Sequence, residues 1–547
     1  MKSARIIIVL ALLVIVGVPV VSKWSRTSSG AADAVADGAP KLVVVTPHIE
    51  QIRLEFGMAF DAWHRRIHGT SAVIDWRTPG GTSEIRKLLE SQAEAAVAAG
   101  AYTITPPKAL KNRAGEKEEL PEAVIDAERA DLPDVFFGGG SFEHTASKVG
   151  IVTTVTIDGR PTRVRVRISA PPTPPFTPAY LDGIYGPENR VGVERLYDDD
   201  QHWFGTALSG FGIVYNRDLL GELGVPEPTS FGELGDPRLF RRVALADPRL
   251  SGSVATLYDA ILNKEGWDRG WRILREMSAN ARYFSSSSTQ PPLDVSQGEC
   301  AAGVAIDFYG RGQSQSLIKP GDDPSSSRVG YIDPPGATYI DADPASIING
   351  ARHAELARRF VEFCLTDEAQ ALWQFAPLDQ KPGAAGDGLG PQHDRLRRMP
   401  VKPSMYANYL DRFTDQTNAF EIASKTPLRG WRDLIGPLMG AFAIDTHREM
   451  QDAWRVLNAA RAKPGFPPTG LALMEEAFYS MPMQAVDDGV STPAELTLNE
   501  ANYKAIAAFT GRWRDAEKGA RAKIAYTRFY QQQYRLVAEI ASKHGVD

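Results

Sequence analysis

Residues 42–56 read LVVVTPHIEQIRLEF, and the junction inside this stretch decides the fold class. Leu42 to Val45 are four apolar residues in a row, the pattern of a strand covered on both faces. Beyond Thr46-Pro47-His48, residues Ile52, Phe56, Ala59, Phe60 and Trp63 recur at helical spacing. A strand that delivers polar atoms to the mouth of a helix is how open α/β sheets build ligand sites. His48 stands at that mouth, either facing a ligand or satisfying the helix entrance.

The design repeats along the chain. The strand Ala72 to Arg77 runs through TPGGTSEIRKLLESQAEAAVAA into a long helix, and LPDVFFGGG, residues 132–140, is a short buried strand ending in glycines. RVALADPRLSGSVATLYDAIL, residues 242–262, is again strand, polar loop and helix. GECAAGVAIDFYGRGQ supplies a further strand ending in polar and aromatic residues. TTVTIDGRPTRVRVRIS alternates around Asp158-Gly159, a hairpin signal, and the APPTPPFTP that follows is a stiff connector. This predicts a hairpin insertion near 151–180, while Lys108 to Arg129 reads as a charged stretch leading to LPDVFFGGG. Beyond about Pro382 the strand pattern stops, and amphipathic segments such as Tyr503 to Trp513 and Ala522 to Ala541 take over.

Bulk properties narrow the function classes. At 547 residues the chain exceeds one core, so two or three domains are expected. Its 43% hydrophobic and 23% charged content is that of a globular protein, and a net charge of −6 argues against general nucleic-acid binding. Cys300 and Cys364 stand apart in apolar surroundings, which excludes a thiolate zinc site. Lys2 and Arg5 precede an apolar run, Ile6 to Val21, with Lys23 and Arg26 after it; this is a signal peptide or an uncleaved anchor. Export is expected in either case, and residues 25–40 read as a tether.

Three strand–loop–helix junctions carry small polar residues: Thr46-Pro47-His48, Gly80-Gly81-Thr82-Ser83 and Ser251-Gly252-Ser253. Free N–H groups and the helix dipole favour an anion at such places, although N-capping alone accounts for most such serines. Three of them in one chain predict a ligand cleft. The carboxylate run Asp198-Asp199-Asp200 reads as a solvated loop rather than a metal or glycosidase pair. GxSxG, HExxH and Walker patterns are missing from the sequence. The aromatic residues Tyr102, Phe142, Trp203, Phe204 and Tyr309 suit either ligand stacking or the core.

GFGIVYNRDLLGELGVPEPTSFGEL, ADPRLSGSVATL, VSQGECAAGVAIDFYG and ASIINGARHAELARRFVEFCLTDEAQALW, in that order, resemble ABC-transporter solute-binding proteins of the ferric-ion-binding type. GPQHDRLRRMPVKPSMY completes a resemblance that spans roughly residues 41–412. It implies an α/β, two-lobed periplasmic-binding-protein-like fold of class II: lobe 1 over 41–212 and 332–412, lobe 2 over 213–331, and a helical C-terminal extension over 413–547. Crossing strands such as Ser209 to Asn216 would join the lobes, with Gly210 and Gly212 as hinge glycines. The ligand-binding set it implies is His48, Gly81, Thr82, Ser83, Ser251, Gly252, Ser253 and Tyr309, with no catalytic residue, metal or cofactor. Where the iron subgroup has a carboxylate this chain has Gly138 to Gly140, and where it has a Tyr-Tyr pair this chain has Phe308-Tyr309. A hard ferric ion wants several anionic oxygens, so the expectation moves to an anionic organic solute. The partners implied are that solute and ABC permease subunits, with the receptor a monomer; a membrane-tethered sensor or scaffold is the rival reading.

Overall fold

The computed structural model describes residues 40–111, 117–317, 327–334, 336–379, 387–487 and 494–546. The expected N-terminal membrane segment therefore lies outside the described residues, as does all of the tether before Pro40. Among the described residues no helix is long and apolar enough to cross a membrane.

Nine strands of the eleven-stranded central sheet frame the molecule: β1 (Lys41–Val45), β2 (Val73–Arg77), β3 (Val135–Phe137), β4 (Phe204–Asn216), β5 (Val243–Ala246), β6 (Ala281–Ser285), β7 (Ala302–Ile306), β8 (Val329–Ile332) and β9 (Ile340–Ile348). Their main path runs β6-β5-β7-β4-β9-β3-β1-β2, with β8 paired to β4 off this path. β1 is parallel to both β2 and β3, and all of β1 except Lys41 and the half-buried Val43 is buried, as its apolar run requires. β4 is the crossing strand. Its first half, Phe204 to Gly210, pairs antiparallel with β9, and its second half, from Phe211 onward, pairs with β7 and β8. The change of partner falls between Gly210 and Phe211.

Two main cores flank this crossing. Leu42, Ile52, Phe56, Phe360, Trp373 and Met405 belong to the core of lobe 1. Phe211, Ile213, Trp267 and Trp271 belong to the core of lobe 2, which continues without a break into Trp431, Trp454 and Tyr526 of the C-terminal extension. The extension is thus fused to lobe 2. Its helix His447–Ala462 places Trp454, whose indole N–H donates to Asn280 Oδ1 at 2.9 Å, and Arg275 donates back to the Phe478 carbonyl at 2.7 Å.

Two sequence expectations are corrected. The insertion is a four-stranded sheet, ordered Tyr102–Lys111, Lys117–Ile125, Arg160–Val166, Ile151–Ile157, and not one hairpin. The predicted turn is present, with Asp158 and Gly159 at φ 50° and 76° between paired Ile157 and Arg160. The charged stretch 108–129 supplies the missing strands because its carboxylates meet the arginines of the hairpin: Glu118 accepts from Arg163 and Arg165, at 2.9 and 3.1 Å. Strands also do not stop at Pro382, since Met399–Pro400 joins β4 and Met483–Val486 pairs with Ala494–Thr497. Gly212 packs closely against the neighbouring strand: a Cβ there would lie 2.2 Å from the Ile332 carbonyl oxygen.

Candidate functional site

A cavity of about 330 Å³ lies where the two halves of β4 part company. Lobe 1 lines it with Pro47, His48, Gly80, Gly81 and Thr82; lobe 2 faces them with Leu250, Ser251, Ser253 and Tyr309. Ser209 and Asp341 to Asp343, from β4 and β9, form part of the floor. Helices starting at Thr82, Ser141, Gly252 and Asp307 follow strands that end here, so their N-termini converge on the cavity.

Six of the eight residues expected at the site line this cavity: His48, Gly81, Thr82, Ser251, Ser253 and Tyr309. The other two are placed behind it. Ser83 turns away and donates to Glu143 Oε1 at 2.7 Å, and the Gly252 carbonyl accepts from Arg432 at 2.8 Å. The capping reading also holds for Ser251, whose Oγ accepts the Val254 N–H at 3.4 Å. Of the aromatic set, only Tyr309 reaches the cavity; Phe204 is core and Phe142 packs under Arg432.

The glycines after β3 explain how lobe 1 presents its polar groups. Gly138, at φ 94°, lies against the His48 ring so closely that a Cβ would be 2.4 Å away; Gly139, at φ 96°, makes room in the same way for Thr82. The ring of His48 packs edge-on against Phe137 at 4.5 Å, and neither nitrogen has a hydrogen-bond partner among the described residues. Burial, reinforced by Arg398, holds its pKa well below the usual value, so His48 is neutral. Burial raises that of the Tyr309 phenol.

Arg398 and the hydroxyls of Ser287, Ser288 and Thr289 complete the cavity, and sequence reasoning singled out none of them. The signal for the hydroxyls was there, in the run FSSSSTQPPL at the end of β6, the same small-polar pattern as the other junctions. Arg398 lies within the basic stretch GPQHDRLRRMPVKPSMY, and only the fold shows which arginine turns inward. Its guanidinium pairs with Asp343 and lies 4.1 Å from the Phe308 ring centre. Asp341 accepts the Ser141 N–H at 3.3 Å and is pushed up to about 7 by burial, with Glu194 adding to the effect. Arg398 and Asp343 thus offset each other on the floor, and the hydroxyls share the rest of the lining with one carboxylate, Glu84, whose Oε2 accepts the Gly81 N–H at 2.9 Å. Among the described residues no cluster of three or more His, Cys, Asp or Glu is placed to hold a metal.

Residues 182–385 match the model of the bacterial extracellular solute-binding protein family. Among curated proteins it is 24% identical over 304 residues to the phosphoglycerate transport regulatory protein PgtC of Salmonella typhimurium, covering 55% of this chain and 67% of that one. Similar solved structures include the periplasmic binding protein AfuA of Actinobacillus pleuropneumoniae with fructose-6-phosphate bound, at 16% identity and TM-score 0.42, covering 61% of this chain and 81% of that one. The apo ferric ion-binding protein A of Pasteurella haemolytica is another, at 12% identity and TM-score 0.43, covering 71% and 94%.

Proposed function

We propose that this chain is the receptor of an ABC importer, exported and tethered by its N-terminal segment, that captures a small anionic organic solute, phosphorylated or carboxylated. The observation that carries the reading is the facing of Thr82 on one lobe and Ser251, Ser253 and Ser287 on the other across a cavity with a neutralised floor. Hydroxyls and helix N-termini suit an anionic group without a full countercharge. His48, Gly81 and Tyr309 shape the remaining wall. The mechanism is hinge closure about the Gly210–Phe211 crossing, with no bond made or broken in the solute. The receptor works as a monomer and hands its solute to permease subunits.

The sensor reading has one specific observation in its favour. Arg432, in the C-terminal extension, donates to the Gly252 carbonyl and to Thr256 Oγ1, on the helix whose start carries Ser251 and Ser253. A change at the cleft therefore has a direct path to the extension.

Mass spectrometry of small molecules released from the purified, denatured protein identifies the solute. Thermal shift with phosphoglycerate, fructose 6-phosphate and simple dicarboxylates then ranks classes, since stabilisation grows with solute above its dissociation constant. The expected result is an organic anion that also reduces the radius of gyration of the fragment from Lys41 onward in solution scattering. A neutral or cationic solute overturns the anionic assignment, and tight binding without compaction overturns closure.

A further inference from the structure

The starts of the helices Thr82–Ala98 and Gly252–Glu265 form a partition with a cavity on each side. One side is the solute cleft. On the other, Ser83 and Gly252, the two expected site residues that do not reach the cleft, line a second cavity of about 340 Å³. Phe142 and Glu143 of lobe 1 and Arg249 of lobe 2 form part of its wall, and the C-terminal extension closes it.

This second cavity is basic. Five cationic side chains line it, Arg249, Arg432, Arg512, Arg514 and Lys523, against three carboxylates, Glu143, Asp433 and Asp445. The carboxylates are already engaged. Asp433 accepts from both Arg512 and Arg514 at 2.8 Å, Asp445 pairs with Arg249 at 2.9 Å, and Glu143 is held by Arg86 and Ser83. Lys523 has no charged partner among the described residues, and the buried Nε of Arg432 has no hydrogen-bond partner there either.

The backbone is shaped around this cluster. Arg512 and Trp513 are consecutive non-glycine residues in the left-handed region, at φ 54° and 60°, a conformation costing about 1 kcal/mol or more each and common at ligand sites. Gly440 opens the facing wall, since a Cβ there would sit 3.1 Å from Arg249 Nη1, and it begins a π-helical turn, Gly440–Ile444.

We propose that this cavity is a second ligand site, for a small phosphate-bearing anion with more than one negative charge. Arginine forks and a lysine point charge match phosphate oxygens better than they match one carboxylate. Arg432 connects the site to the cleft: its guanidinium lies 4.2 Å from the Phe142 ring centre of lobe 1 while it holds Gly252 and Thr256 of lobe 2. An anion bound here therefore clamps both lobes and the extension together, and this last step rests on the closure reading above.

The test is calorimetry of the full chain with pyrophosphate at fixed ionic strength. Ser253→Leu fills the first cavity, and Lys523→Glu, at an exposed position, reverses one charge of the second. The expected result is that Ser253→Leu still binds pyrophosphate, while Lys523→Glu weakens binding at least about tenfold with an unchanged melting curve. Arg432→Gln supplies an independent loss at the same site. Two outcomes overturn the proposal: no pyrophosphate binding to the wild-type chain, or binding lost in Ser253→Leu and unchanged in Lys523→Glu. Identifying the solute released from the cleft does not depend on either variant, so the receptor reading stands or falls separately.

Discussion

Arg398 and Asp343 form a buried ion pair on the floor of the cleft, their side chains only 6% and 5% exposed. Asp343 Oδ1 has no hydrogen-bond partner among the described residues, so the pair is the main compensation for that carboxylate. Removing one partner of such a pair strands the other charge. Arg398→Leu should lower stability by about 3–5 kcal/mol in chemical denaturation, with much of the loss recovered by adding Asp343→Leu. Equal losses in the single and double variants would show that the pair itself carries little.

Ser253 lines the cleft at the start of the helix Gly252–Glu265, but the N-cap is Ser251. Ser251→Leu would also lose a cap of about 1 kcal/mol, so Ser253→Leu is the cleaner probe. It should weaken binding of the solute identified by mass spectrometry at least about tenfold, or about 1.4 kcal/mol, with stability nearly unchanged. Unaltered affinity in calorimetry would remove the serines from the site.

Gly212 and Gly210 separate packing from hinge motion. A Cβ on Gly212 meets the Ile332 carbonyl oxygen at 2.2 Å, whereas one on Gly210 first meets the Ile340 side chain at 3.3 Å. Gly212→Ala should cost about 1–3 kcal/mol, the range for overpacking, and Gly210→Ala clearly less. Thermal melts of the two variants check the order.

Asp307 lies fully buried beside the crossing, and burial pushes its carboxyl up to about 7 although Arg311 opposes the shift. The folded protein therefore holds this proton more tightly than the unfolded chain does. Its contribution is fully present below the unfolded value near 4 and is lost as pH rises toward 7, on the order of 4 kcal/mol in total. Asp307→Asn should flatten the stability profile over pH 4–7, and a parallel profile in the variant would contradict the assignment.

Ferric ion should not bind here as it does through a tyrosine pair. Phe308 is buried core, and the Tyr309 phenol resists ionisation because of burial. Adding ferric citrate should give no visible charge-transfer band; a stable band that vanishes in Tyr309→Phe would prove otherwise.

Local pattern determined much of this protein. The apolar run Leu42–Val45, the small-polar junctions at Thr82 and Ser251, and the Asp158-Gly159 turn all form as read, because each depends on neighbours within a few residues. What pairs across long separations was not legible. The strand Lys117–Ile125 looks like a charged linker until the arginines of residues 163–167 neutralise it. Arg398 looks like its neighbours Arg395 and Arg397 until the fold buries it against Asp343. The place of the extension was not legible either: it shares one core with lobe 2, where Trp431 packs on Trp267 and Phe442 on Trp271. Helical and strand periodicity records which face of an element is apolar, and only tertiary packing decides which other face, or which opposite charge, covers it.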